Sequence, residues 1–218
     1  MASSEPAGAK PIIVILTLDK SEFFHDLYEA FVRLLETKAE LRQANTPEEA
    51  RAAFNSHPKP AAILAADESL TVSTRIPLVH DALSYVRSGG VLIFMALFPG
   101  FTRPPDVKSL FSRLDLPWRS GSYHRSTFKL NSEMTRFEKS ALAESYSQKA
   151  LNLANVAYDD AVYLPTDDWE DESSVSGPTD RIETPVAFAK VGEGKVGYVG
   201  DVNNEEGTTP VILGMCGL

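Results

Sequence analysis

The chain has 218 residues, 43% of them hydrophobic, a net charge of −9 and a single cysteine, Cys216. That is enough apolar material for one core, most simply one domain, and a lone cysteine excludes an internal disulfide and fits a reducing compartment. No apolar run reaches the roughly 20 residues that cross a bilayer, MASSEPAGAK lacks a signal-peptide core, and the acidic balance offers no basic footprint for nucleic acid. The expectation is a cytoplasmic protein with neither a membrane nor a nucleic-acid partner. The acids are unevenly spread: nine of the 30 lie between Asp159 and Glu183, opposed only by Arg181.

Residues 1–10 are small and polar and read as a disordered tail. Residues 11–218 then form one α/β unit, with the acidic stretch at about 159–184 as a loop. Pro11–Leu18 is a continuous, largely β-branched run, the pattern of a strand buried on both faces of a parallel sheet. Ser21–Thr37 follows with Phe23, Leu27, Phe31 and Leu34 at helical spacing. Leu41–Ala44 reads as a second strand. Thr46-Pro47-Glu48-Glu49 is a capping box with proline at the first helical position. Ala61–Ala66 is a third strand, and a helix over 75–87 carries Ile76, Val79, Leu83 and Val86 on one face before the Gly89-Gly90 stop. Val91–Phe98 is a fourth strand, broken by Pro99-Gly100. The order βαβαβαβ with short connections predicts a parallel sheet covered on both faces. The second half is less regular. A short helix over 106–114, a strand over 123–130, a helix over 137–154, a hairpin around Gly192-Glu193-Gly194 and a C-terminal helix after Thr208-Thr209-Pro210 are expected.

Three stretches, PIIVILTL, YVRSGGVLIFMALF and the closing VGEGKVGYVGDVNNEEGTTPVIL, resemble the class I glutamine amidotransferase-like superfamily, nearest its ThuA-like branch, across residues 11–217. The resemblance implies a three-layer, flavodoxin-like α/β fold with a mostly parallel central sheet and a C-terminal β-hairpin. Active members of that superfamily hold a cysteine on a sharp turn after a central strand, with a histidine and a carboxylate on a late loop. The corresponding turn here, Ala96–Gly100, has no Cys, Ser or Thr. The late loop, Asp201–Gly207, has no histidine. Amidotransferase chemistry is therefore not expected, and Cys216, inside the last helix, reads as a small core residue.

Ligands of an open parallel sheet bind beyond the carboxyl ends of the strands. Asp19, Asp67, Glu68, Asp201 and Asn203 fall there, to hold a polar ligand or merely to cap the helices that follow. The segment Leu116–Arg125 collects Trp118, Arg119, Tyr123, His124 and Arg125. Its aromatic faces and guanidinium forks suit a ligand with a ring and an acid group, while a packed connection is the alternative. Two readings follow. One is a domain without the amidotransferase nucleophile that binds a small polar or aromatic-acid ligand. The other is a hydrolase, lyase or isomerase using His124 with Asp67 and Glu68. His25, His57 and His80 form no metal spacing, so neither a metal nor a cofactor is expected. A homo-oligomer is a further possibility.

Overall fold

A computed structural model of the chain describes residues 9–19, 21–166 and 181–218. Most of the expected tail and the middle of the acidic loop lie outside the described residues. The first half runs β1 (Ile12–Leu16), α1 (Ser21–Lys38), β2 (Glu40–Ala44), α2 (Pro47–Phe54), β3 (Ala62–Ala65), two short 3₁₀ turns over Glu68–Thr71 and Ser73–Arg75, α3 (Ile76–Arg87) and β4 (Val91–Phe94). Thr46 and Glu49 complete the expected capping box of α2. After α4 (Phe98–Phe101) and α5 (Pro104–Arg113) come the long β5 (Arg119–Leu130) and β6 (Ser145–Ala157), then β7 (Tyr163–Pro165), β8 (Arg181–Thr184), β9 (Val186–Val191), β10 (Gly194–Val199) and α6 (Thr208–Cys216).

The main sheet has the order β2-β1-β3-β4-β10-β9, parallel except for the edge strand β9, which pairs antiparallel with β10 as the expected hairpin. Side chains alternate between two cores, as the strand period requires. Val14 and Leu16 face the layer containing Phe54, Val79 and Phe111, from α2, α3 and α5. Ile13 and Ile15 face the layer containing Phe24, Phe31 and Ile212, from α1 and α6. This is the three-layer architecture the sequence resemblance implies.

Three details differ from the sequence reading. The segment 137–154 is not a helix: 145–157 is β6, the centre of a second, antiparallel sheet in the order β7-β5-β6-β8. Its alanines and leucines favour helix, but the segment buries Gln148, Ala150, Asn152, Ala154 and Val156 at alternate positions, and pairing overrides propensity. Asn155, at φ 65°, sits in the irregularity where the β6–β8 register shifts. Second, α1 turns another face to the core. Phe24, Tyr28, Phe31, Val32 and Leu35 are buried, each worth about 1.5–3 kcal/mol if fully removed from water, whereas Phe23, Leu27 and Leu34 are exposed. Third, Trp118 is core: it is 1% exposed and packs edge-on against Phe111 at 5.0 Å between ring centroids.

The two sheets are joined at the carboxyl end of β10. Leu151 N donates to Gly200 O and Val202 N to Lys149 O, and Ala150 forms an antiparallel bridge with Asp201. The inner face of β6 therefore lies against the edge where the parallel strands end.

Candidate functional site

The strand-end acids are engaged with their own chain. Asp67 is fully buried and ties two strand ends together: one carboxylate oxygen accepts from Asp19 N at 2.8 Å, the other from Ser69 N at 3.0 Å. Asp19 in turn forms a bidentate pair with Arg75 at 2.5 and 2.7 Å, and this pairing raises the arginine's pKa. Glu68, partly buried, is in the same turn. Asp201 is 2% exposed and accepts from Asn203 N (2.9 Å), Glu205 N (2.6 Å) and the Thr208 hydroxyl. Asn203 itself reaches Glu205.

The stretch 118–125 does not act as one unit. Trp118 is in the core. Arg119, Tyr123 and Arg125 are exposed, with Lys149 over the Tyr123 ring and Arg125 paired to Glu205 at 2.5 Å. His124 alternates to the other face of β5 and stands opposite Ala150, which bridges to Asp201. Histidine and aspartate thus share a row, two strand spacings or about 10 Å apart at the backbone.

Sequence reasoning missed the polar lining of the inner face, because it read β6 as a helix. Gln148 is fully buried; its amide interacts with the Tyr146 hydroxyl, and its remaining hydrogen-bonding capacity is unfilled. Asn152, 2% exposed, donates to the Ser122 hydroxyl, which donates to Glu183, yet its own carbonyl oxygen has no partner. Ser120 on β5, Thr102 at the end of α4 and Asn204 in the late loop also bury a polar atom without a partner. These elements adjoin one another: α4 packs on β6, β6 pairs with β5, and the late loop pairs with β6. Buried polar atoms are nearly always satisfied by protein, water or ligand. Among the described residues no group of histidine, cysteine and acids has the makings of a metal site. An open pocket of about 300 Å³ lies elsewhere, between the start of α2 and the start of α3, where Arg51 and Arg75 are already paired with Asp81 and Asp19.

At the turn after β4, Ala96 adopts φ 59° and is 4% exposed. A non-glycine residue in this region is uncommon, and the turn passes directly from strand to helix. It is the geometry that presents a nucleophile in α/β hydrolase-type folds, here carrying a methyl group. The chain superposes on a ThuA-like protein from Bacteroides uniformis with a TM-score of 0.58 and 10% identity, covering 99% of this chain and 94% of that one. A ThuA-like protein from Parabacteroides merdae gives 0.57 at 10% identity, with 96% and 89% covered. The fold is ThuA-like. The same fold matches 31% of a β-galactosidase from Bacillus circulans, at 0.55 and 12% identity over 96% of this chain. No family model matches the sequence, and no curated protein matches it. Within the ThuA-like fold, Ala96 occupies the strand-to-helix turn after a central strand, and Asp201 opens the loop after β10. Burial pushes the Cys216 thiol up to about 12, far from the reactive thiolate range.

Proposed function

We propose that this ThuA-like chain is a binding domain without the amidotransferase nucleophile, and that it takes a small, neutral, hydrogen-bonding ligand between the inner face of β6 and the carboxyl edge of the main sheet. The observation that carries this reading is the set of buried amide and hydroxyl atoms with incomplete hydrogen bonding, on Gln148, Asn152, Ser120, Thr102 and Asn204. Neutral donors and acceptors of this kind match hydroxyl or amide groups better than a full charge, whose burial is costly without a counter-ion. The acids at the strand ends hold the walls, since Asp67 and Asp201 spend their oxygens on local donors. Reaction at an Ala96 side chain is excluded chemically, because a methyl group is no nucleophile.

The test is a thermal-shift screen with small polyols, monosaccharides and primary amides, followed by calorimetry, on the native chain and on Gln148→Leu. Removing a buried amide whose hydrogen bonding is incomplete relieves a desolvation cost, so the variant is expected to melt at or above the native midpoint. A compound that stabilises the native chain by mass action is expected to lose its effect on the variant. Equal stabilisation of both proteins would remove the inner face of β6 from the site.

A further inference from the structure

We infer that the outer face of α1 is a self-association surface, on which a second copy of this chain docks antiparallel about a twofold axis. The α1 helix has two apolar faces. One faces the core. The other bears Phe23 (48% exposed), Leu27 (53%) and Leu34 (37%), with Ala30 exposed between them. Phe101, 45% exposed, extends the patch from α4 through an edge-to-face contact with Phe23 at 5.9 Å. Contiguous exposed apolar side chains of this kind mark interaction surfaces.

The spacing of positions 23, 27, 30 and 34 is four, three and four residues, the seam of two helices packed side by side. It is also its own mirror. A twofold axis passing between Tyr28 and Glu29 sets Phe23 against Leu34 of the partner subunit and Leu27 against Ala30 of the partner subunit. The axis falls at the point where α1 bends, since Tyr28 departs from helical geometry (φ −118°, ψ 16°). Each half of the bent helix carries half of the patch.

The flanking charges Asp26 and Arg33 fall on opposite sides of that axis. The half of α1 before it bears Glu22 and Asp26; the half after it bears Glu29, Arg33, Glu36 and Lys38. Asp26 and Arg33, seven residues apart, lie on the same flank of the seam. An antiparallel pair sets Asp26 within a turn of Arg33 of the partner subunit, twice. Arg33 and Glu29 are 73% and 68% exposed, so their present pairing leaves the guanidinium open to a second carboxylate. A surface whose apolar positions and flanking Asp26 and Arg33 are related by one twofold axis fits an isologous dimer. One helix pair with a few flanking contacts is small for a stable interface, so micromolar self-association is expected.

Sedimentation equilibrium of the full chain over a range of concentrations tests this. A monomer–dimer equilibrium is expected. Leu27→Glu is expected to weaken it by about tenfold or more, with unchanged circular dichroism because the side chain is exposed. Asp26→Arg and Arg33→Asp are each expected to weaken it, and the double variant Asp26→Arg/Arg33→Asp to restore it. That restoration is specific to an antiparallel pair of identical helices. A monomer throughout the concentration range, a dimer indifferent to Leu27→Glu, or a double variant weaker than either single one would each overturn the inference.

Discussion

Asp201 follows β10 at the edge where ligands of open sheets bind, and two demands converge on it. Its oxygens accept from two backbone amides and the Thr208 hydroxyl, which together fix the turn into α6. They also bring a carboxylate beside two phenols: burial is the main cause of the raised pKa values of Tyr28 and Tyr146, and the Asp201 charge adds to both. A charge this well supplied with donors has little left for a ligand. Asp201→Asn turns one acceptor into a donor that faces other donors. A charged hydrogen bond is worth about 1.5–3 kcal/mol, so the variant should lose roughly that much stability in urea titrations. Unchanged stability would mean that the turn holds without the carboxylate, and would return Asp201 to the set of ligand-facing groups. Ala96 shows the complementary case. Its φ of 59° keeps a sharp turn that no side-chain chemistry uses, and the sequence could show only that Cys, Ser and Thr were missing there.

Between elements, the critical seam is the one that joins the two sheets. Gly200 lies at the end of β10, and a Cβ there would sit 2.2 Å from the Leu151 carbonyl oxygen, which accepts from the buried Tyr198 hydroxyl at 2.7 Å. Backbone cannot yield as a flexible side chain can. Gly200→Ala should therefore separate β6 from β10 and cost about 2 kcal/mol or more, seen as a lower unfolding midpoint and faster exchange of the Leu151 amide. A midpoint within a degree of the native one would show the seam to be looser than its geometry. This seam also explains what could be read in advance. The elements β1 to β4 with their helices were legible because a parallel sheet buried on both faces needs continuous apolar strands, and its helices need a 3.6-residue stripe. The helix face of α1 was not, because Phe23, Leu27 and Leu34 keep the same period as Phe24, Phe31 and Leu35, and periodicity alone cannot say which stripe meets the sheet. The second sheet was not, because β6 is made of alanine, leucine, asparagine and glutamine, and its state is set by partners distant in sequence. With β6 hidden, Gln148 and Asn152 could not be placed on a common face, and the polar lining stayed out of view.

Over the whole molecule, burial holds proton-bearing groups in their neutral forms. Tyr85 and Tyr198 have raised pKa values, with burial the principal cause; so do Tyr28 and Tyr146; Tyr163 is pushed up to about 12. The Cys216 thiol is likewise pushed up to about 12. These groups lie in both cores and in both sheets, so no single element can release them to solvent without disturbing the others. In the unfolded chain they ionise near their ordinary values, 9.0 for cysteine and 10.0 for tyrosine. A folded pKa above the unfolded one means that the folded state binds more protons within that window. Stability is therefore fully present below about pH 9 and falls as the pH rises toward 12 and beyond, by about 1.4 kcal/mol per pH unit for each group fully inside its window. Several groups acting together should make alkaline unfolding steep. In an alkaline titration followed by tyrosinate absorbance and far-ultraviolet circular dichroism, most of the tyrosinate signal should arrive together with the loss of secondary structure, as a single cooperative step. Smooth ionisation of all the tyrosines near pH 10 with native dichroism retained would show that these side chains reach water in the folded state, and that the two cores open without global unfolding.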